Sequence, residues 1–242
     1  TGSEATPNSI VLVPEKELKV GIVNSNMVAD VVILDGNFTR KLPRDVAAAT
    51  GIDALSHCIE CFTSQKANVY SNLFALEGLK LIFKNIIPAC TDENAIEEKN
   101  NMLLGAFYGG VAITTSGTTA VHALSYPLGG KYHIAHGVSN AILLVPVMKF
   151  NKDYCLNEFE IIYDSLCDKT EKSVEEKAEW VINQLEMIVS KLEIPTTLKD
   201  FNVNDTDLES LVEAGISVRR LLDNNKKEVT KEDARKIYKE II

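Results

Sequence analysis

The chain has 242 residues, of which 45% are hydrophobic and 24% charged, and this length suffices for a sizeable buried core in one large or two small domains. Its net charge of −9 without any basic run argues against nucleic-acid partners and anionic membranes, and its longest apolar stretch, 141–148, is too short to span a bilayer. The five cysteines, an odd number in a fairly large domain, predict a reducing, cytoplasmic setting rather than a disulfide scaffold.

Residues 1–42 carry the signals of β-structure. Short apolar runs rich in β-branched residues occur at 9–13, 19–23 and 28–35, and a turn sequence follows the third run. These runs predict three short strands, which together resemble the edge of a larger sheet.

From residue 43 to the end, the pattern is helical. Pro43 suits the first turn of a helix, and Thr230 with Asp233 three residues later is a start signal for the last one. Apolar spacing predicts helices over 44–63, 71–85, 93–113, 136–151, 158–167, 174–192, 205–213 and 231–241. We therefore predict a mainly α protein, with a short β segment over 1–42 and an all-helical domain over 43–242.

All four histidines fall in two short stretches, His57 in one and His122, His133 and His136 in the other. Asp53 and His57 are four residues apart in a predicted helix, so their side chains share one face. One carboxylate with several imidazoles is a donor set that suits Fe, Zn, Co or Ni. By spacing alone, the Asp53–His57 pair fits a salt bridge or a helix cap as well as a metal site.

The second histidine stretch contains residues that allow the chain to turn back. His122 and His136 are separated by Pro127, Gly129 and Gly130. A reversal there would bring both imidazoles to one point, so that two segments supply four ligands.

Two long segments resemble the signatures of the iron-containing (group III) alcohol dehydrogenases. They run from Ala49 to Glu60 and from His122 to Leu144, and the segments 1–6 and 220–225 are also similar to family sequences. The resemblance covers essentially the whole chain, in order. It implies a helical domain of the dehydroquinate synthase type, whose ion is held by one Asp and three His. By matching position, these ligands are Asp53, His57, His122 and His136.

The resemblance also implies a reaction, namely reversible hydride transfer between an alcohol and NAD or NADP. A divalent ion, Fe²⁺ or Zn²⁺ with these ligands, lowers the pKa of the bound alcohol and stabilises the alkoxide. The implied partners are a small-molecule alcohol or aldehyde and, by family habit, a second subunit in a homodimer. Two alternatives stay open: a glycerol-dehydrogenase-like or dehydroquinate-synthase-like relative, and a metal-binding fragment without catalytic competence.

Tyr126 departs from the family pattern, since many members carry a further histidine there that is considered for a proton relay. A phenol with an ordinary pKa near 10 is a poorer shuttle at neutral pH than an imidazole. Tyr126 and the spare His133 are therefore the candidates for proton transfer, although a surface role is the preferred interpretation of His133.

The sequence also lacks the glycine-rich pyrophosphate loop of the family's N-terminal Rossmann-like domain. We therefore expect the C-terminal, metal-binding portion of such an enzyme, with residues 1–42 as the remaining edge of the nucleotide-binding domain. By family match, the cofactor-facing residues in this edge are Thr1, Thr6 and Lys19.

Three further features have more than one interpretation. The Cys58-x-x-Cys61 motif lies within a predicted helix, where core packing is favoured over a redox or zinc role. Glu60, one turn after His57, either orients a metal ligand or forms a buried salt bridge. Gly109 and Gly110 lie in a helical pattern and predict a close-packing site.

Overall fold

The computed structural model describes residues 1–13, 18–168 and 171–242, and it confirms the prediction of a mainly α protein. The described residues form a hairpin of two strands, followed by ten α-helices. The strands are β1 (Asn8–Val13) and β2 (Leu18–Val23). The helices are α1 (Arg44–Thr63), α2 (Val69–Thr91), α3 (Ile96–Ser116), α4 (Ala120–Lys131), α5 (His136–Asn151), α6 (Leu156–Leu166), α7 (Val174–Lys191), α8 (Leu208–Ile216), α9 (Arg219–Leu222) and α10 (Lys231–Ile241).

The two strands pair antiparallel, with Asn8 opposite Val23. The prediction of a third strand over 28–35 was wrong, because this segment is irregular and leaves Val31 and Ile33 each 79% exposed. A strand needs a neighbour for its backbone hydrogen bonds, and the described sheet holds only β1 and β2. The β-branched run alone therefore does not make a strand here.

Helix starts follow from local capping. The predicted start of the last helix is confirmed, since the Thr230 side chain accepts from the Asp233 N–H and the Asp233 carboxylate accepts from Thr230 in return. Reciprocal capping of the same kind starts α7 at Ser173 and α2 at Asn68. None of the described helices combines the length and the apolar character needed to cross a membrane.

Helix α1 lies at the centre of the core and packs against α2, α3 and α5. Its Ile52, Leu55 and Ile59 are fully buried, and so are the thiols Cys58 and Cys61, as core packing of that motif requires. The close-packing prediction for Gly109 and Gly110 is also confirmed, because a Cβ on Gly110 would lie 2.0 Å from the Gly2 carbonyl oxygen. The N-terminal segment thereby packs tightly against α3, next to α1.

Helix α4 was not predicted, because Pro127 and the Gly129–Gly130 pair are poor helix formers. The chain stays helical through all three residues, and the expected reversal occurs only at 132–135. Every residue from Ala120 to Gly130 is buried, so tertiary packing outweighs local propensity. The reversal places the start of α5 beside α1.

Candidate metal centre

Helix α1 contributes Asp53 and His57 to one polar cluster. Their four-residue spacing puts both side chains on one face, and His57 Nε2 lies 3.6 Å from Asp53 Oδ1. Asp53 is only 3% exposed, so its carboxylate points into the protein. The Nδ1–H of His57 donates to the Thr1 carbonyl oxygen at 3.0 Å, which leaves Nε2 facing Asp53.

Helices α4 and α5 bring two more imidazoles to the same carboxylate oxygen. Asp53 Oδ1 lies 3.5 Å from His122 Nε2 and 3.6 Å from His136 Nε2. Close approach of α5 to α1 makes this possible, since a Cβ on Gly137 would lie 2.1 Å from the Ala49 carbonyl oxygen. The structure thus brings all four predicted ligand residues together.

The donor atoms have a spacing that fits a metal ion. One ligand atom each of Asp53, His122 and His136 lies within 4.8 Å of the other two, and His57 Nε2 lies 3.6 Å from Asp53 Oδ1. Imidazole and carboxylate donors bind zinc at roughly 2.0–2.2 Å, so Asp53, His122 and His136 are close enough together to share one ion. One carboxylate and three imidazoles also suit Fe²⁺. The residues present therefore fit the implied ion.

The cluster's electrostatics keep a carboxylate and two neutral imidazoles at neutral pH. Burial raises the pKa of Asp53, but the three facing imidazoles outweigh it and hold the pKa well below its usual range. Burial lowers the pKa of His57 to about 4 and that of His136 to about 3, against the attraction of Asp53. For His122, burial is outweighed by Glu60 and Asp53, which raise its pKa to about 9.

Glu60 lies behind His122, at the junction of α1 and α4. Its side chain is fully buried and contacts His122 Nδ1. The Glu60 Oε1 atom also accepts from the Thr119 N–H at 2.9 Å, the Thr119 hydroxyl at 2.7 Å and the Val121 N–H at 2.9 Å. Glu60 therefore contacts a candidate ligand, His122 rather than His57, and the same contact is a buried salt bridge when His122 is protonated, so both sequence interpretations fit.

Asn140 belongs to the cluster and was missed by the sequence analysis. It is fully buried, and its Nδ2 lies 2.7 Å from Asp53 Oδ1, 3.2 Å from His122 Nε2 and 3.4 Å from His136 Nε2. Its Oδ1 has no hydrogen-bond partner within the described part of the chain. The available signal was its position four residues after His136, on the same face of α5.

The cluster lies in the wall of an open cleft of about 1790 Å³. Thr1 and Thr6, two of the predicted cofactor-facing residues, line this cleft together with the candidate ligands. The Thr6 hydroxyl is held by a hydrogen bond to the Ser3 carbonyl oxygen at 3.0 Å. The cleft therefore extends from the N-terminal segment to the candidate ligands.

Tyr126 also lines this cleft, with its ring centroid 6.5 Å from that of His136. Burial raises the pKa of its phenol, although the positive charge of Arg220 opposes the change. Tyr126 is therefore a neutral phenol at neutral pH. Arg220 was not singled out from the sequence, and it borders both this cleft and a neighbouring one.

The other two candidates lie outside the main cleft. Lys19 lines the neighbouring cleft of about 730 Å³, with its Nζ packed against Gly129, and burial lowers its pKa. His133 is exposed at a left-handed backbone position with φ 55°, and the residues that line the main cleft do not include it. The structure therefore brings Tyr126, but not His133, to the candidate ligands.

Comparison with known proteins gives consistent matches. The family model described as "Fe-containing alcohol dehydrogenase family, C-terminal" matches residues 47–242. Long-chain-alcohol dehydrogenase 1 of Geobacillus thermodenitrificans is 34% identical over 239 residues, which cover 98% of this chain and 60% of the relative. The 4-hydroxybutyrate dehydrogenase of Clostridium kluyveri is 27% identical over 250 residues, covering 100% of this chain and 65% of that protein.

Solved structures of related proteins superpose on the full length of this chain. A 1,3-propanediol oxidoreductase superposes with a TM-score of 0.94 at 27% identity, covering 100% of this chain and 63% of its own. An iron-containing alcohol dehydrogenase of Thermotoga maritima superposes with a TM-score of 0.82 at 29% identity, covering 100% and 60%. The chain thus spans roughly three fifths of the length of the relatives it matches.

Proposed function

Because the chain belongs to the Fe-containing alcohol dehydrogenase family, we propose that the protein is a metal-dependent oxidoreductase that interconverts an alcohol and an aldehyde or ketone by hydride transfer with NAD or NADP. The observation that carries the proposal is the convergence of three imidazole Nε2 atoms on Asp53 Oδ1 at 3.5–3.6 Å. The relatives named for long-chain alcohols and 4-hydroxybutyrate support a small-molecule alcohol or aldehyde as substrate.

In this proposal, Asp53, His57, His122 and His136 hold Fe²⁺, with Zn²⁺ as the alternative for the same donors. When bound, the ion supplies Lewis acidity that stabilises the alkoxide form of the substrate. The chain's own residues set the geometry for this chemistry. Thr1 fixes the His57 ring through its carbonyl oxygen, and the Tyr126 phenol faces the cleft as a neutral hydrogen-bond donor.

For the cofactor, we propose that Thr1, Thr6 and Lys19 contact NAD or NADP, with Thr1 and Thr6 in the main cleft and Lys19 beside it. Residues 1–42 would form the edge of a nucleotide-binding domain, and 43–242 a helical domain of the dehydroquinate synthase type. The rest of the nucleotide site would come from sequence that the relatives have beyond the matched three fifths. We also propose that the protein is a homodimer in the cytoplasm. The five free cysteines support the reducing compartment.

The runner-up is a metal-binding fragment that performs no turnover, and it is favoured by the lack of a glycine-rich phosphate loop in this sequence. One experiment separates the two functions. The 242-residue chain and the protein expressed with any sequence that precedes Thr1 in its gene are loaded with Fe²⁺ under anaerobic conditions. Both are assayed with NAD⁺ and NADP⁺ on a panel of butanol, 1,3-propanediol and 4-hydroxybutyrate.

We expect metal-dependent reduction of the nicotinamide by the longer protein with at least one of these alcohols. The 242-residue chain should bind the ion but show little NADH binding by fluorescence titration. A metal-loaded longer protein without activity on any of the alcohols would contradict the proposed function. Tight NADH binding by the 242-residue chain would contradict the domain assignment.

A further inference from the structure

We propose that Glu60 is a positioning residue of the metal centre, which accepts the Nδ1–H of His122 and so keeps the His122 Nε2 lone pair directed at the ion. The inference rests on the metal centre proposed above. It assigns a role to a carboxylate that supplies no metal-facing atom itself.

Glu60 shares the ligand-bearing face of α1. It follows Asp53 by seven residues and His57 by three, which are helical spacings that keep all three side chains on one side. From there Glu60 reaches the start of α4, and His122 lies two residues further along that helix. A single carboxylate therefore connects the helix that carries two candidate ligands to the helix that carries the third.

Among the described residues, every hydrogen-bond partner of the Glu60 carboxylate is a donor. Its Oε1 accepts from Thr119 N, Thr119 Oγ1, Val121 N and His122 N, and its Oε2 faces His122 Nδ1. With a fully buried side chain and four donors on one oxygen, the group is an acceptor-only carboxylate. Oε2 is left to a single partner, the imidazole.

This arrangement selects one form of the His122 ring. A metal-bound imidazole is neutral, with one N–H and one lone pair, so an N–H held at Nδ1 leaves the lone pair on Nε2 for the ion. His122 Nε2 is the atom that lies 3.5 Å from Asp53 Oδ1. Partners of this kind behind a metal-bound histidine typically contribute 10–100-fold to metal affinity.

The three imidazoles differ in this respect. His57 Nδ1 donates to the Thr1 carbonyl oxygen, and His136 Nδ1 has no hydrogen-bond partner among the described residues. Only His122, of these three, contacts a carboxylate through Nδ1. Loss of the Glu60 carboxylate is therefore expected to affect the His122 ring, and not the rings of His57 and His136.

A simpler role for Glu60 is to cap the N-terminus of α4, since Thr119 N and Val121 N belong to its first turn. Glu60→Gln separates the two roles. A glutamine amide oxygen still accepts from the Thr119 and Val121 N–H groups, so capping persists. Its amide nitrogen is a donor and faces Nδ1, so the ring must place its proton on Nε2 to pair with it.

The test is isothermal titration of Zn²⁺ into the 242-residue chain, for wild type, Glu60→Gln and a matched control, Glu158→Gln. Glu158 pairs with Lys226 outside the cluster and undergoes the same chemical change. We expect Kd to rise 10–100-fold for Glu60→Gln and to stay within about twofold for Glu158→Gln. Equal affinity of Glu60→Gln and wild type, with both folded by circular dichroism, would overturn the proposal.

If Glu60→Gln does not fold, spectra of the wild-type chain still test the proposal. Long-range ¹H–¹⁵N spectra of the zinc-loaded, histidine-labelled chain should show His122 protonated at Nδ1 and metal-bound through Nε2. Protonation at Nε2, or zinc bound through Nδ1, would overturn the proposal. Failure of the dehydrogenase function is recognised separately, by a longer protein that binds zinc normally but turns over no alcohol, and it leaves the role of Glu60 intact.

Discussion

The Asn140 side-chain amide lies 2.7 Å from Asp53 Oδ1 and joins α5 to α1 at the centre of the ligand cluster. The same Nδ2 is within 3.4 Å of both His122 Nε2 and His136 Nε2. One buried amide therefore contacts three of the four candidate ligands. This relationship links the stability of the helical core to the geometry of the metal centre.

Asn140→Ala removes the hydrogen-bond donor from a buried carboxylate and leaves a small cavity. We expect the free energy of unfolding of the metal-free chain to fall by about 1–3 kcal/mol, because a buried charged acceptor loses its partner. Urea denaturation followed by circular dichroism measures the change. Asn157→Ala, an exposed position of α6, is the control and should stay within about 0.5 kcal/mol of wild type. A loss for Asn140→Ala no larger than that of the control would refute the structural link.

Gly137→Ala tests the close approach that places His136 beside Asp53. Its Cβ would lie 2.1 Å from the Ala49 carbonyl oxygen, so one of the two helices must move. We expect a loss of about 1–3 kcal/mol in the free energy of unfolding, and weaker zinc binding because α5 carries His136. Calorimetric titration and urea unfolding measure the two effects.

The control for Gly137→Ala is Gly51→Ala in α1. There the nearest atoms to a new Cβ belong to the Ile86 side chain at 3.2–3.3 Å, which can adjust. The gain in helix propensity is about 1 kcal/mol and offsets the tighter packing. Zinc affinity of Gly51→Ala should therefore stay near the wild-type value, and a Gly137→Ala chain that matches it would contradict the proposed packing.

The buried thiol of Cys155 predicts a loss of stability at alkaline pH. Burial raises its pKa to about 12 from an ordinary value of 9.0. Because the folded pKa lies above the unfolded one, this stabilising contribution is complete below about pH 9 and is lost as the pH rises toward 12. Between pH 8 and 10, the loss from this thiol is about 1 kcal/mol.

Urea unfolding of wild type and Cys155→Ala at pH 8 and pH 10 measures this contribution. The alanine variant is expected to be less stable at pH 8, since it creates a cavity, but to lose about 1 kcal/mol less than wild type between the two pH values. The same loss in both chains would mean that the thiol does not titrate as its burial requires.

The sequence was sufficient for the elements that depend on local or periodic signals. The Thr230–Asp233 start of α10 and the shared face of Asp53 and His57 follow from interactions within a few residues. Helix α4 was missed because its stability comes from burial on all sides, which no local signal around Pro127 reports. The prediction of a strand over 28–35 was wrong because a strand needs a neighbour to pair with, and β-branched residues alone do not supply one.

The candidate site also divides into residues that the sequence indicated and contacts that it did not. Histidine spacing and family resemblance pointed to the four ligands, since those residues are few and chemically distinctive. Asn140 and the contact of Glu60 with His122 depend on how α1, α4 and α5 pack, and an asparagine on a helix face has many ordinary roles. Packing contacts between distant helices are the part of the site that the sequence did not reveal.

If Asp53, His57, His122 and His136 form one metal centre, the metal content of the chain depends on these side chains. The 242-residue chain is loaded with Fe²⁺ under anaerobic conditions, desalted and analysed by inductively coupled plasma mass spectrometry. His133→Asn is the matched control, because His133 is exposed outside the cluster and asparagine tolerates its left-handed backbone. We expect about one ion per chain for wild type and His133→Asn, and a large loss for His122→Ala. Unchanged metal content in a folded His122→Ala chain would contradict the proposed metal centre.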